Sequence, residues 1–194
     1  MSDSRRPLAI AIVGIGGSFP GASSPDELWR LIAETRWTGS EVPEGRWPLP
    51  AKDFLFPEHG RIDKVATTHG CFLNEVPREF PGLAIDPEFL KRLDPLFSLV
   101  LKAGLECWLD AKTEHLDRSR VAVLMANIVL PTDATCDLTR RLWGPELARQ
   151  AGFAIRQAPP IPDWHPQNRF AAGLPAGFLA KALQLGGGCT TLDA

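Results

Sequence analysis

Chemistry in this sequence would have to come from a few short stretches. Gly14-Ile-Gly-Gly-Ser-Phe-Pro-Gly21 follows an apolar run, and bare backbone at such a turn can approach a pyrophosphate. The dinucleotide reading fails on detail. Phe19 stands where the third glycine of GxGxxG belongs, Pro20 interrupts, and no helix starts directly from the turn. A tight strand-exit loop whose glycines take positive φ is the better reading. His69 and Cys71 pair a base with a thiol, but sequence neighbours seldom share catalytic geometry, so both are read as structural. Cys189 opens a short strand; a thiol buried there has a raised pKa and poor access, so it is not assigned as a nucleophile. Trp164-His165 stands alone and marks no site. The cysteines (Cys71, Cys107, Cys136, Cys189) form no CxxC pair, and His59, His69, His115 and His165 lack metal-ligand spacing. No metal or bound cofactor is expected.

Composition narrows the classes further. Lys and Arg number 21 against 23 Asp and Glu, a net charge of −2, so no field of one sign favours nucleic acid or a membrane. With 44% hydrophobic and 23% charged residues, the chain reads as a soluble globular domain, and 194 residues suffice for one real core. The scattered thiols, the polar Met1-Ser-Asp-Ser-Arg-Arg6 opening and the shortness of the longest apolar run, Leu8–Val13, point to the cytoplasm.

Leu8–Val13 lacks alternation and reads as a strand buried on both faces. Ser24-Pro-Asp-Glu27 is a capping box opening a helix to about Thr35, with Leu28, Leu31 and Ile32 on one face. The 17 glycines and 18 prolines cluster at Gly39–Gly82 and Ala158–Pro175, predicting irregular connections, including one over residues 48–85. Asp86-Pro87 and Asp94-Pro95 each cap a helix; the second carries Leu96, Phe97, Val100, Leu101, Leu105 and Trp108 and belongs in the core, with Cys107 as a small hydrophobe. Arg120–Asn127 is a second buried strand. Thr132–Gly152 is helical but divided at Gly144-Pro145, and Ala158–Pro166 is extended. Gly173–Leu185 is an amphipathic helix ended by Gly186-Gly-Gly188, and Cys189–Asp193 resumes a strand.

IAIVGIGGSFPGASSPDELWRLI, then Ser40-Glu-Val-Pro43 and Arg46-Trp47, resembles the opening of a β-ketoacyl synthase domain from a polyketide or polyunsaturated-fatty-acid synthase. The family pattern is a strand, a G-x-G-x-x-F-P-G turn, a P-x-x-L-W helix and an S-x-V-P-x-x-R-W loop, all present in order. His69-Gly-Cys-Phe-Leu73 resembles the family's G-G-F-L element, and Leu93-Asp-Pro95 its M-D-P-Q-Q-R segment, with Leu96-Phe-Ser98 replacing Gln-Gln-Arg. Thr191-Leu-Asp193 matches T-V-D, and Ala194 takes the next position. On that alignment the family's nucleophilic cysteine falls two residues beyond Ala194.

The resemblance implies the thiolase-like α/β fold (layered αβαβα), of which residues 1–194 are the N-terminal part, with insertion-like loops at about 48–85 and 153–172. It places Arg120–Asn127 beside and parallel to the first strand. It implies an acyltransferase that joins a carrier-protein-bound acyl thioester to a decarboxylating malonyl-type extender, the substrates riding on phosphopantetheine. It implies an acyl carrier protein and the rest of the synthase as partners, and a homodimer through the Cys189–Asp193 strand. Arg140 and Arg141 could dock an acidic carrier, although a solvated helix face is the better reading. No catalytic residue carries over, and the chain alone is expected to be inactive. A non-catalytic, chain-length-factor-like partner subunit is the alternative from another class; a nucleotide-binding domain is the third.

Overall fold

Aspartate-capped, proline-started helices set the frame of this protein. The computed structural model describes residues 9–47, 50–56, 61, 64–73, 75–83, 85–128, 132–152 and 163–192. In chain order the elements are α1 (Pro25–Ala33), β1 (Ser40–Glu41), α2 (Ala51–Phe54), β2 (His69–Gly70), α3 (Pro87–Lys91), α4 (Pro95–Asp110), β3 (Val123–Ala126), α5 (Asp133–Ala151), α6 (Leu174–Ala182) and β4 (Cys189–Leu192), with 3-10 turns at Arg118–Arg120 and Pro166–Phe170. Two compact units result: Met1–Gly16 with Pro77–Ala194, and Gly17–Val76.

In the larger unit, Asp86 and Asp94 cap α3 and α4 as expected, accepting from Glu88 N at 3.0 Å and Leu96 N at 2.9 Å. Leu90 and Leu93 from the α3 turn, Phe97 and Leu101 of α4, and Leu179 and Leu183 at α6 form the buried core. Gly104 permits the α4–α6 approach, because a Cβ there would lie 2.4 Å from Leu179 Cδ2. Helix α6 also packs on both β3 and β4. These strands run parallel in the register Val123↔Cys189 to Ala126↔Leu192, the long crossover between them carrying α5 and α6. The alternation of β3 follows: Val123 and Met125 are half-buried, while Leu124 is 74% exposed.

Three expectations need correction here. Residues 9–13 are not a buried strand: Ile10 is 93% and Ile12 87% exposed, and no strand pairing joins them to β3 among the described residues. A strand buried on both faces needs a neighbour at each edge and a layer on each face, and the described sheet has only two strands. The partner of β3 is β4 instead. Second, Gly144-Pro145 does not divide α5, which runs unbroken from the reciprocal Thr132–Thr135 capping box to left-handed Gly152. Pro145 removes one hydrogen bond, and these end caps hold the flanking turns. Third, α6 ends before the glycines. Gln184, at φ 56°, closes it in a Schellman motif, with Leu185 N donating to Ala180 O at 2.8 Å and Gln184 N to Lys181 O at 3.1 Å.

The smaller unit holds α1 and two short strands. Ser24 Oγ caps Glu27 N at 3.3 Å, while the Glu27 carboxylate reaches back to Ser23 N and Oγ at 2.7 Å, so the box spans two serines. Helix α1 stops at Ala33 and closes on Thr35 at φ 52°, with Arg36 N donating to Leu31 O at 2.9 Å. Of the expected apolar face only Leu31 is buried. The stretch expected to be irregular contains α2 and also β2, which pairs antiparallel with β1.

Candidate functional site

The segment that delivers the chain to its end is built from α6, a glycine turn and β4. The glycines serve close backbone passage more than helix termination. A Cβ on Gly187 would lie 2.6 Å from Val121 C, and one on Gly186 3.1 Å from Ser119 Cα. Gly186 N donates to Arg118 O at 2.8 Å and Gly187 N to Val121 O at 3.0 Å. Gly188, at φ 99°, then turns the chain into β4, whose ladder opens with Val123 N donating to Gly188 O at 3.0 Å. The Arg118–Arg120 turn is itself held by Asp117, whose carboxyl accepts from the hydroxyl and the amide of Ser119 and is held below the usual carboxylate range by them. Arg118 donates to Leu183 O at 2.9 Å and lies over the Trp108 ring, tying the end of α6 to α4.

The far end of the strand pair is fixed to the start of α6. Asn127 Nδ2 donates to Ala172 O at 3.2 Å, and Thr191 Oγ1 to Gly173 O at 3.3 Å. Below it lies a buried polar knot. Asn168 accepts from Asp94 N at 2.7 Å and donates to Arg92 O at 2.9 Å, and Arg92 O also accepts from His165 N at 2.8 Å. Nothing in the sequence signalled Asn168, because its partners lie in α4's cap and the turn before it. Asp94 Oδ2 and Ser98 Oγ are buried without a hydrogen-bond partner among the described residues.

Most residues singled out from sequence stand in structural roles. The glycines at 14–16 press their backbone on α4: a Cβ on Gly16 would lie 2.3 Å from Ala103 O, and one on Gly14 2.5 Å from Cys107 O. Ile15 N donates to Asp110 Oδ2 at 2.9 Å and Cys107 Sγ to Gly14 O at 3.3 Å. Neither glycine has positive φ; within the turn only Gly21 does, at 77°. The expected reason for Gly14 and Gly16 is therefore replaced by helix contact. His69 pairs with Glu41 at 3.3 Å across β1–β2, and Cys71 is exposed. His165 stacks edge-on against Phe89, and Trp164 Nε1 donates to Asp137 Oδ2 at 3.0 Å. Arg140 is paired with Asp137 at 3.2 Å. Cys189 is exposed, correcting the expectation of a buried thiol: no third described strand pairs with β4, and the α6 residue facing its Sγ is Gly177, which has no side chain to cover it. His59, Asp193 and Ala194 lie outside the described residues, as do residues 153–162 of the expected 153–172 loop. Among the described residues no His, Cys, Asp and Glu group could hold a metal, and no helix is long and apolar enough to cross a membrane.

With this geometry in hand, residues 8–194 match the model of the β-ketoacyl synthase N-terminal domain. The chain belongs to the β-ketoacyl synthase family. This ketosynthase-like chain is 35% identical over 113 residues to the highly reducing polyketide synthase ausV of Aspergillus calidoustus, covering 57% of this chain and 4% of that protein. It is 36% identical over 110 residues to the non-reducing polyketide synthase ntnG of Nectria sp, covering 53% of this chain and 5% of that one. The ketosynthase chain thus spans only a small part of the length of the curated relatives it matches. Among solved structures, the PfaC keto synthase–chain length factor aligns with a TM-score of 0.77 and 25% identity, over 95% of this chain and 21% of that one. The module 6 ketosynthase of the Bacillus subtilis 168 bacillaene synthase shares the fold, with a TM-score of 0.60 and 19% identity, over 96% of this chain and 26% of that one. The thiolase-like α/β class expected from the sequence holds, for an N-terminal portion of the fold.

Proposed function

We propose that this chain is the N-terminal part of a ketosynthase domain that forms carbon–carbon bonds by decarboxylative condensation of carrier-bound acyl and malonyl-type thioesters. The observation that carries the reading is the α6–β4 segment. In the family motif a T-V-D strand runs into the nucleophilic cysteine, and here the matching strand is held in register with β3 and tied at Thr191 to Gly173 O. A cysteine placed where such a strand meets a helix N-terminus has a lowered pKa and acts as a thiolate. The chain's own contribution is positioning. No residue of 1–194 is assigned a step in the reaction, and the acyl groups ride on the phosphopantetheine of an acyl carrier protein in the cytoplasm. The outer edge of β4, unpaired among the described residues, is the edge through which two copies would pair.

A second reading is favoured by the likeness to the PfaC keto synthase–chain length factor and by Leu96-Phe-Ser98 in place of Gln-Gln-Arg. In it the domain is a non-catalytic partner. Reading the two codons after Ala194 in the gene separates them: Ala-Cys supports the enzyme, and any other second residue supports the partner. Loading of a radiolabelled acyl thioester onto the intact synthase checks the outcome. Label retained in Cys189→Ser and lost on changing the downstream cysteine is expected; label lost in Cys189→Ser refutes the assignment.

A further inference from the structure

A cavity of about 660 Å³ opens in the larger unit between Gly82, Ile85, Asp86 and Phe89 on one side and α6 on the other. Its size is that of a small-molecule site. The half-buried lining is mostly apolar, with Ile85, Phe89, Leu174 and Phe178 against one polar side chain, Gln167, and the two rings stand 6.1 Å apart. Its exposed lining is polar, and there Lys181 brings an ammonium with no ion pair or hydrogen bond among the described residues. The one carboxylate in the lining, Asp86, caps α3 through Oδ1. Gln184 also lines the cavity, although its φ of 56° is one that glycine would adopt without cost. A long amide side chain thus stands at the rim in a backbone conformation that disfavours it, two residues before three glycines.

We propose that this cavity binds an amphipathic anion, an alkyl carboxylate whose chain lies against Phe89 and Phe178 and whose head group meets Lys181 Nζ and the Gln184 amide. An apolar slot with one uncommitted cation at its mouth selects this class over a neutral or cationic amphiphile, because only the anion leaves both the chain and the ammonium partnered.

The test is calorimetric titration of the 194-residue chain with decanoate below its micelle concentration, with decyltrimethylammonium as the cationic control. One-to-one saturation by decanoate and none by the control is expected. Lys181→Gln, an exposed change that leaves the core intact, weakens decanoate binding about fivefold to tenfold. Gln184→Gly weakens it while raising the Tm. Leu124→Ser, on the bare sheet face, leaves binding unchanged. Equal binding of the two amphiphiles, no saturation, full affinity in Lys181→Gln, or loss of binding in Leu124→Ser each overturns the proposal.

Discussion

Replacing the glycines before β4 one at a time by alanine should give three different costs. At Gly187 the new Cβ would sit 2.6 Å from Val121 C, 2.7 Å from Val121 O and 2.9 Å from Ala122 N. All three are backbone atoms of the segment leading into β3, so no side chain can swing aside. The turn must move by roughly 1 Å to restore van der Waals distance, breaking Gly187 N–Val121 O and loosening Val123 N–Gly188 O. Two hydrogen bonds at ~1 kcal/mol each, with ~1–3 kcal/mol of overpacking, less ~0.5–1 kcal/mol from stiffening the unfolded chain, leave about 2–4 kcal/mol. Gly188→Ala meets no atom within 4 Å but forces an L-residue to φ 99°, which costs about 1–2 kcal/mol. Gly186→Ala, with its nearest contact at 3.1 Å, costs at most about 1 kcal/mol. Urea titrations followed by tryptophan fluorescence read the series against a domain stability of ~5–15 kcal/mol. Equal losses at Gly186 and Gly187, or an unmoved midpoint for Gly187→Ala, would refute the close-passage account.

Other outcomes follow from single residues. Thr35→Gly should stabilise by about 0.5–1 kcal/mol, since a β-branched residue at φ 52° is strained by more than glycine loses in entropy; a lowered Tm contradicts this. Asn168→Ala removes the partner of the buried Asp94 N and leaves Arg92 O only its bond from His165 N, and should cost about 1–3 kcal/mol by urea titration, whereas an exposed change such as Arg169→Ala should be near neutral. The side chains of Arg149 and then Gln150 hold the Glu146 carboxyl below the usual range, so its support of α5 is full above that range and fades as pH falls through the lowered value. Glu146→Gln should remove that acid-side loss of helicity in circular dichroism, and an unchanged pH profile would exclude the mechanism. Brief iodoacetamide treatment should label Cys71, Cys136 and Cys189 before Cys107, which is half-buried and bonded to Gly14 O; the reverse order in peptide mapping contradicts the exposures.

Local signals were legible and distant ones were not. Ser24, Asp86 and Asp94 announced their helices because a cap and a first-turn proline act within four residues. The core face of α4 was readable because helical periodicity survives without knowledge of the partner. The glycines were visible but misread: positive φ is a local property, whereas the closeness of Gly14 and Gly16 to α4 depends on residues some ninety positions away. The same holds for Asn168, whose two partners precede it by more than seventy residues. Pro145 alone points to a break, yet the caps at Thr132 and Gly152 outweigh one missing hydrogen bond. The segment at the candidate site was recognised as a helix, a turn and a strand, but the cavity beside it was not. A cavity is a relation between Phe89 and Phe178, and neither residue marks it alone.

The parallel pairing of β3 with β4 also sets a clock. Val123–Ala126 leaves the ribosome long before Cys189–Leu192, and at ~5–20 residues per second the wait is roughly 3 to 13 s. Throughout it, β3 lacks its β4 partner, and the chain already carries the bare Ile10 and Ile12. Helix α6, which packs on both strands, also follows β3 in the chain and so gives it no cover during the first part of the wait. Synthesis at low temperature, or with a chaperone that holds extended apolar segments, should therefore raise the soluble yield more than any change to the finished fold.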